Sequence, residues 1–593
     1  MEYLTTQDLR LAYSCPTKLY YKKHGYPMTL DLDSYRKSLS DGYLIIQKIA
    51  QLLYPEGILC EGVADTSEKL AKAGTLFQAS ACAHYKFACI DILSRQQQKV
   101  DIIHVKNRSF DSKANTELGI HRKLNIFRSK RTGEVNSDWR PVMEDIAWQK
   151  LILMELYPDW EIHTYLLMPD RYKTTQIKHC LRQFRIYPDQ RVEFLGDVQA
   201  LRASHFLSLV PVDAEVMAVM PRLKTQAEIY IQQLLAGFPR PVSQLGKHCR
   251  DCEFKSGYQE CWGELAQVEP HIFDLYQVGR MTLNGKPLVN ELVQQGKASM
   301  YDVPLGELSD STYSHRQLIQ IEYTQKNREW IAPQLKKILS QFTYPLHFLD
   351  FETARVIIPW DAGLRPNEQV AFQWSCHTID SPNADPVHDD WIDIDTPFPN
   401  WNFVQSLWEK LAPTGEPVGT ILTWGSHEFS VLKDIQRQIT IYGSHHLPIS
   451  RKLDQLVQKG KFVDMDNLTR SYYFHPLMKY KTSLKWVIAA IWKTNSYLHT
   501  HPYFSSYIQI ENGEVISPYA SLPKQWIDDR EVTIMDGSEA MLAYLEIICG
   551  AKSDRPEIVS KWVQLLKQYC SLDTLAMVMI WYHWHTQLAI QKS

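Results

Sequence analysis

Residues 348–352 read Phe-Leu-Asp-Phe-Glu, an apolar run broken twice by acids. Side chains alternate between the faces of a strand, so Phe348, Asp350 and Glu352 share one face while Leu349 and Phe351 share the other. Two carboxylates this close repel each other. Either the strand ends at the surface and both acids are solvated, or a divalent cation neutralises them, for which oxygen-ligated Mg²⁺ or Mn²⁺ is the natural choice. A second pattern lies near the other end of the chain. From about Pro556 to His585 the spacing is helical, and Tyr569 and Asp573 stand at i and i+4 on one helix face, so the phenol and the carboxylate can point at one site.

A chain of 593 residues exceeds one hydrophobic core, and at about 150 residues per domain it should form two to four domains. Residues 1–264 mix strand-like runs (87–93 and 100–105) with helical ones (146–157) and read as an α/β domain. Residues 265–343 are polar and mostly helical and read as a connector, and residues 344–593 form a second α/β domain that opens on the acidic strand. Lys+Arg 64 against Asp+Glu 67 leaves a net charge of −3, so no whole-protein field attracts nucleic acid or an anionic membrane, and any such contact is local. The first residues lack a signal-peptide pattern and no stretch approaches the roughly 20 apolar residues of a membrane span. A soluble cytoplasmic protein without a membrane partner is expected. Its 11 cysteines should then be reduced, and those that cluster are better read as metal ligands than as disulfides.

One group does cluster. Cys249-Arg250-Asp251-Cys252 is followed by Cys261, and a fourth ligand is needed: His248 would suit tetrahedral zinc, whereas Cys15 would suit a thiolate-only cluster. Cys60, Cys82, Cys89 and Cys180 lack this grouping and read as small core residues. Between Lys106 and Thr132 eight basic residues (Lys106, Arg108, Lys113, Arg122, Lys123, Arg128, Lys130 and Arg131) face only Asp111 and Glu117. Such a stretch is either a phosphate-contacting surface or an ordinary solvated loop.

An apolar strand carrying Asp350-x-Glu352 early in a domain, with Tyr569-x-x-x-Asp573 on its late helix, resembles the DEDD exonuclease superfamily of the ribonuclease-H-like (DnaQ-like) fold, in its tyrosine-bearing variant. The wording around it is closer still to an uncharacterised bacterial family with an exonuclease-like half behind a nuclease-like N-terminal half. That likeness rests on the sequence from His347 to Thr353, Phe372 to Ser375, Tyr480 to Lys485, Asp536-Gly537, and Tyr569 to Met577. The resemblance implies that Asp350, Glu352 and Asp573 hold two Mg²⁺ or Mn²⁺ ions and that Tyr569 orients the attacking water. For the remaining acid, Glu428 in Trp424-Gly425-Ser426-His427-Glu428-Phe429 is the first choice and Asp464 its rival, with a solvated helix residue and a helix cap as their respective alternatives.

The N-terminal half, with Ser14-Cys15-Pro16 near its start and three cysteines at its end, resembles RecB-like nucleases of the PD-(D/E)xK type, including those of CRISPR adaptation. The likeness implies a 4Fe-4S cluster on Cys15, Cys249, Cys252 and Cys261, with zinc as the alternative. In the nuclease core, Asp91 supplies the Asp and Lys106 the Lys, but His104 stands where the Glu belongs, Gln78 replaces an acid, and Gln149 fits the trailing glutamine loosely. An imidazole is a poor substitute for a carboxylate in a Mg²⁺ site. This half is therefore expected to bind nucleic acid, DNA ahead of RNA, more than to cut it, through Lys106, Arg108, Arg122, Lys123, Arg128, Lys130 and Arg131. The whole then reads as a metal-dependent nuclease, a 3′-to-5′ exonuclease. The alternatives are a nuclease cutting through an altered N-terminal site and a non-catalytic nucleic-acid-binding scaffold in a DNA repair or antiviral defence complex.

Overall fold

The computed structural model describes every residue except 1, 30–33, 73, 114–125, 284–285, 308–310, 444–446 and 591–593. It is mixed α/β and divides into two units, the first made of residues 1–244, 252–261 and 356–368, the second of residues 245–251, 262–355 and 369–593. No described helix is long and apolar enough to cross a membrane.

In the first unit six strands lie in chain order in one sheet: β1 (Ile58–Leu59), β2 (Thr75–Ala83), β3 (Lys86–Gln96), β4 (Lys99–Val105), β5 (Glu161–Pro169) and β6 (Leu207–Pro211). Strands β2 to β4 form an antiparallel meander, whereas β5 runs parallel to β4. A parallel neighbour requires a crossover, and helix α4 (Arg140–Leu156) lies in it. Its Ile146, Ala147, Trp148 and Ile152 pack into one core with Leu76, Ile90, Val100 and Ile102 of the sheet. Helices α1 (Thr6–Ser14), α2 (Pro16–Lys23) and α3 (Ser34–Leu53) precede the sheet. Of the isolated cysteines, Cys60 and Cys180 are buried, but Cys82 is half-buried and Cys89 is exposed, because the pleat of β3 turns Cys89 away from buried Ala88 and Ile90.

The second unit is built on β7 (Leu346–Arg355), β8 (Gln369–Ile379), β9 (Val387–Ile392), β10 (Thr420–Thr423) and β11 (Phe462–Asp464), in the spatial order β9-β8-β7-β10-β11. Strands β7, β8 and β9 are antiparallel, and β10 and β11 extend the sheet in parallel from β7, which is thus the central strand. The alternation along β7 separates two environments. Leu349 and Phe351 join Phe403, Leu407, Val431 and Ile435 in a core on one face, while Phe348 meets Trp581 of the last helix on the other, ring centroids 6.5 Å apart. A β-bulge after Glu352 shifts the register against β8, a device that bends a strand locally and re-aims its side chains.

The other elements used below are α5 (Thr312–Gln325), α6 (His427–Tyr442), α7 (Met465–Tyr472), α8 (Leu484–Thr494), α9 (Gly537–Cys549) and α10 (Pro556–Ile590). Residues 265–343, read from sequence as a connector, cluster with the second unit. Glu329 accepts from Tyr473 at 3.1 Å and lies 2.9 Å from His583, and Gln320 and Lys336 donate to the carbonyls of Lys479 and Leu588 at 2.8 and 2.7 Å. A segment bonded in this way to distant parts of one unit belongs to that unit.

Candidate active site

Asp350 and Glu352 leave β7 toward α10, whose middle is apolar enough to be buried on nearly every side: Leu572 and Leu575 to Trp581 are all inaccessible or nearly so. Within that helix Tyr569, Cys570 and Asp573 face the strand. The Cys570 thiol lies 3.5 Å from Asp350 Oδ2, and the ligand atoms of Asp350, Glu352 and Cys570 fall within 4.8 Å of one another, the only such trio among the described residues. Glu352 and Asp573 are each 5% exposed.

Glu428 reaches the same acids from the first turn of α6. The chain enters that turn through Gly425 at φ +97, a left-handed conformation that a side-chain-bearing residue would adopt only with strain. Asp464 secures the turn. Its carboxylate accepts from the Gly425 amide at 3.1 Å and caps α7 by accepting from the Asn467 amide at 2.9 Å. Both sequence candidates thus lie beside the site in different roles: Asp464 is engaged by backbone amides, whereas Glu428, 2% exposed, holds its Oε2 buried without a hydrogen-bond partner.

The electrostatics follow from burial and crowding. Burial first, and the neighbouring Asp573 second, hold the Asp350 carboxyl well above the usual carboxylate range. Glu352 is raised by burial and then by Asp350 and Asp573, and Glu428 by burial and then by Asp350. Burial also raises Asp573, against the opposing pull of Lys485 and of the Tyr519 and Tyr569 phenols. Lys485 of α8 donates to the Tyr569 hydroxyl at 3.0 Å and to the Met535 carbonyl, and Tyr519 donates to Asp573. Because an ammonium only donates, Tyr569 accepts from Lys485 and directs its own hydroxyl proton at the Asp573 carboxylate.

Like carboxylates rarely gather in a buried site without a cation to offset their repulsion. The group at ligand distance holds two hard carboxylates, Asp350 and Glu352, which suit Mg²⁺ or Mn²⁺, and one soft thiol, Cys570, while Glu428 and Asp573 act on Asp350 from beside it. Lys485, Tyr519 and Cys570 were not singled out by sequence. Cys570 adjoins Tyr569 and Lys485 closes the Tyr480 to Lys485 stretch, but nothing in the sequence around Tyr519 marks it.

In the first unit Asp91 on β3 faces His104 on β4, Oδ2 to Nδ1 3.0 Å. The carboxylate also accepts from the Val105 amide at 2.9 Å, the Tyr43 hydroxyl at 2.7 Å and Gln47 at 3.2 Å. Burial alone would raise Asp91, but His104 and these donors outweigh it and hold the carboxyl below its usual value. The group is satisfied, and among the described residues no third ligating side chain closes on the pair. Gln149 gives its amide to the Cys89 carbonyl at 3.0 Å, and Lys106, just past β4, is half-buried.

Of the basic residues, Arg128 is bonded within the unit to Glu215 at 2.8 Å and to the carbonyls of Ala214 and Gly133. Arg108 stacks on Trp139, 4.1 Å from the ring centroid, and donates to the Asp138 carbonyl. Lys130 and Arg131 are exposed, and Arg122 and Lys123 lie outside the described residues. Among the cysteines, Cys252 and Cys261 flank a small cluster of Leu11, Tyr21 and Phe254, with the Cys261 thiol 3.1 Å from the Tyr21 hydroxyl. Cys15 joins α1 to α2 in the same unit, while Cys249, with His248 3.6 Å from its thiol, belongs to the other.

The geometry on its own defines a largely buried cluster of carboxylates and one thiol, built from a central strand and two helices, with the ligand atoms of Asp350, Glu352 and Cys570 close enough to share a metal ion. The stretch 347–483 matches a family described as a domain of unknown function, DUF2779. The match takes in Asp350, Glu352, Glu428 and Asp464 and ends before Lys485, Tyr569 and Asp573. No curated protein and no solved structure matches the chain.

Proposed function

We propose that the protein is a metal-dependent nuclease, a 3′-to-5′ exonuclease of the DEDD type acting on DNA through the second unit. The observation that carries this reading is the convergence of Asp350, Glu352, Glu428 and Asp573 from three separate elements, with each carboxyl held above its usual value. The central position of the acidic strand in a mixed sheet, with the last long helix packed on it, supports a ribonuclease-H-like fold. Bound divalent cations would supply Lewis-acid activation of water and neutralise the leaving 3′ oxygen. The chain's own part is to hold the four carboxylates in register, with Glu352, Glu428 and Asp573 buried and Asp350 half-buried. Tyr569, fixed by Lys485 and Asp573, orients the attacking water through its hydroxyl. The test is Mn²⁺-dependent release of mononucleotides from labelled single- and double-stranded DNA and RNA, wild type against Asp350→Ala. A protein that binds nucleic acid but releases nothing is a scaffold instead.

The first unit we assign to binding, as a degenerate RecB-like domain, because His104 stands beside Asp91 where a carboxylate would complete a hard-metal site. Asp91→Ala and Lys106→Ala are then expected to leave catalytic turnover within about twofold of wild type, while loss of the Lys106 charge weakens nucleic-acid affinity and its salt dependence. Endonuclease cutting that disappears in Asp91→Ala and persists in Asp350→Ala would falsify this assignment and give the first unit an active centre of its own.

The resemblance of the N-terminal half to RecB-like nucleases implies a 4Fe-4S cluster on Cys15, Cys249, Cys252 and Cys261, and we propose that ligand set. Anaerobically purified protein should be brown and contain iron and acid-labile sulfide, lost in Cys252→Ser. Stoichiometric zinc without iron would replace that ligand set with one completed by His248.

A further inference from the structure

We propose that a cavity in the second unit, apart from the carboxylate centre, binds a nucleoside monophosphate. The cavity measures ≈ 430 Å³, within the range of small-ligand sites. Tyr276, Tyr313, Arg316, Asn467, Arg470 and Ser471 are among its lining residues, supplied by the first turns of α5, by α7 and by the segment ahead of α5.

Its charge is the first argument. Arg316 is 4% exposed, and its guanidinium donates to the carbonyls of Tyr473 and Thr469 and lies on the Phe474 ring. Its Nε is buried with no hydrogen-bond partner. Burial pushes this arginine down to about 10, and the neighbouring Arg470 adds to that, so a bound anion would favour its charged form. Arg470 stands beside it on α7, and Arg280 lies over the Tyr313 ring, 5.1 Å from its centroid. Asp466 lies 3.1 Å from Arg470 Nε, and against the pull of burial this acid and the Tyr276 hydroxyl raise the Arg470 guanidinium above its ordinary value, whereas the Arg316 guanidinium is bonded to backbone carbonyls. Two arginines in a partly closed cavity, one with an orphaned donor, are suited to a phosphate group, for which guanidinium geometry is matched. The α5 N-terminus, whose Thr312 and Tyr313 line the same cavity, adds a favourable field for an anion.

The remainder of the wall selects what the phosphate is attached to. Tyr276 and Tyr313 stand with ring centroids 6.3 Å apart at 32°, and together they offer aromatic surface to a planar base. Asn467 and Ser471 supply short polar groups suited to sugar hydroxyls. Phosphate, polar sugar and flat base on one ligand specify a nucleotide, and the volume admits one, not a duplex.

The inference stands whether or not the carboxylate centre cuts nucleic acid. It is tested by calorimetric titration of the full-length protein with AMP, adenosine and inorganic phosphate. AMP should bind saturably at one site. Adenosine should bind at least about tenfold more weakly, because the charge-assisted contacts are lost. Arg470→Gln and Tyr313→Ala should each weaken AMP by about tenfold, while Asp350→Ala leaves its affinity unchanged. Arg316→Lys is the more severe variant and is judged only if its melting transition is intact, and the half-buried Tyr313→Ala keeps the test open if it is not. No heat from AMP at millimolar concentration, or equal binding by wild type, Arg470→Gln and Tyr313→Ala, overturns the proposal. Binding of a single-stranded oligonucleotide at this cavity that AMP does not displace also overturns it and assigns the arginines to a strand backbone.

Discussion

Asp350→Ala and Asp573→Ala are expected to lower mononucleotide release from a 3′-labelled oligonucleotide by about a thousandfold or more, the scale of removing a charge-stabilising group from an active site. Each takes away one of four carboxylates that share a single buried space, and no neighbour can replace it. The sulfur of Cys570 is the nearest other ligand atom to Asp350, and it is a soft donor held as a neutral thiol by burial and by the surrounding acids. Tyr569→Phe should be milder, about tenfold to a hundredfold, since it deletes one hydroxyl that orients water and leaves the carboxylates in place. Lys485 would then lose one of its partners but keep the Met535 carbonyl. If both aspartate variants are folded and digest the oligonucleotide at the wild-type rate, the carboxylate centre is not the nuclease site.

The parts of this centre that could be read from sequence are those fixed by short periods. The two-residue period of a strand put Asp350 and Glu352 on one face, and the 3.6-residue period of a helix put Tyr569 and Asp573 on another, and both groupings hold in the structure. Tyr519 shows the limit. It reaches Asp573 from a segment without long regular structure, and no spacing within its own neighbourhood signals that contact. Lys485 is similar, because what places it is the packing of α8 against α10. Asp464 and Glu428 could not be separated by pattern, since each precedes or opens a helix. They differ in which backbone amides happen to be within reach, and that depends on the left-handed turn at Gly425. The membership of residues 265–343 was hidden for the same reason. Its ties, such as Glu329 to His583, span 254 residues, and a polar helical stretch looks alike in sequence whether it links two units or covers one.

Adding Mn²⁺ should raise the melting temperature of the wild type, and by more at pH 8 than at pH 5.5. Asp350, Glu352 and Glu428 have folded-state pKa values well above those of an unfolded chain. Above the unfolded value, about 4 for a carboxyl, the folded protein therefore holds more protons than the unfolded one. Stability without metal then falls as pH rises through the window between the unfolded and the raised folded values, because the carboxylates must ionise against one another. A divalent cation binds the ionised folded form and not the unfolded chain, so it restores what ionisation removes. At a hundredfold excess over its dissociation constant it contributes about 2.7 kcal/mol. Asp350→Asn removes one charge without changing shape. It should raise the metal-free melting temperature at pH 8 and abolish most of the Mn²⁺ shift, a gain of stability obtained by dismantling the site. Equal Mn²⁺ shifts in wild type and Asp350→Asn, or a wild-type shift that shrinks as pH rises, would mean that the cation binds elsewhere and that these acids share protons instead of a metal.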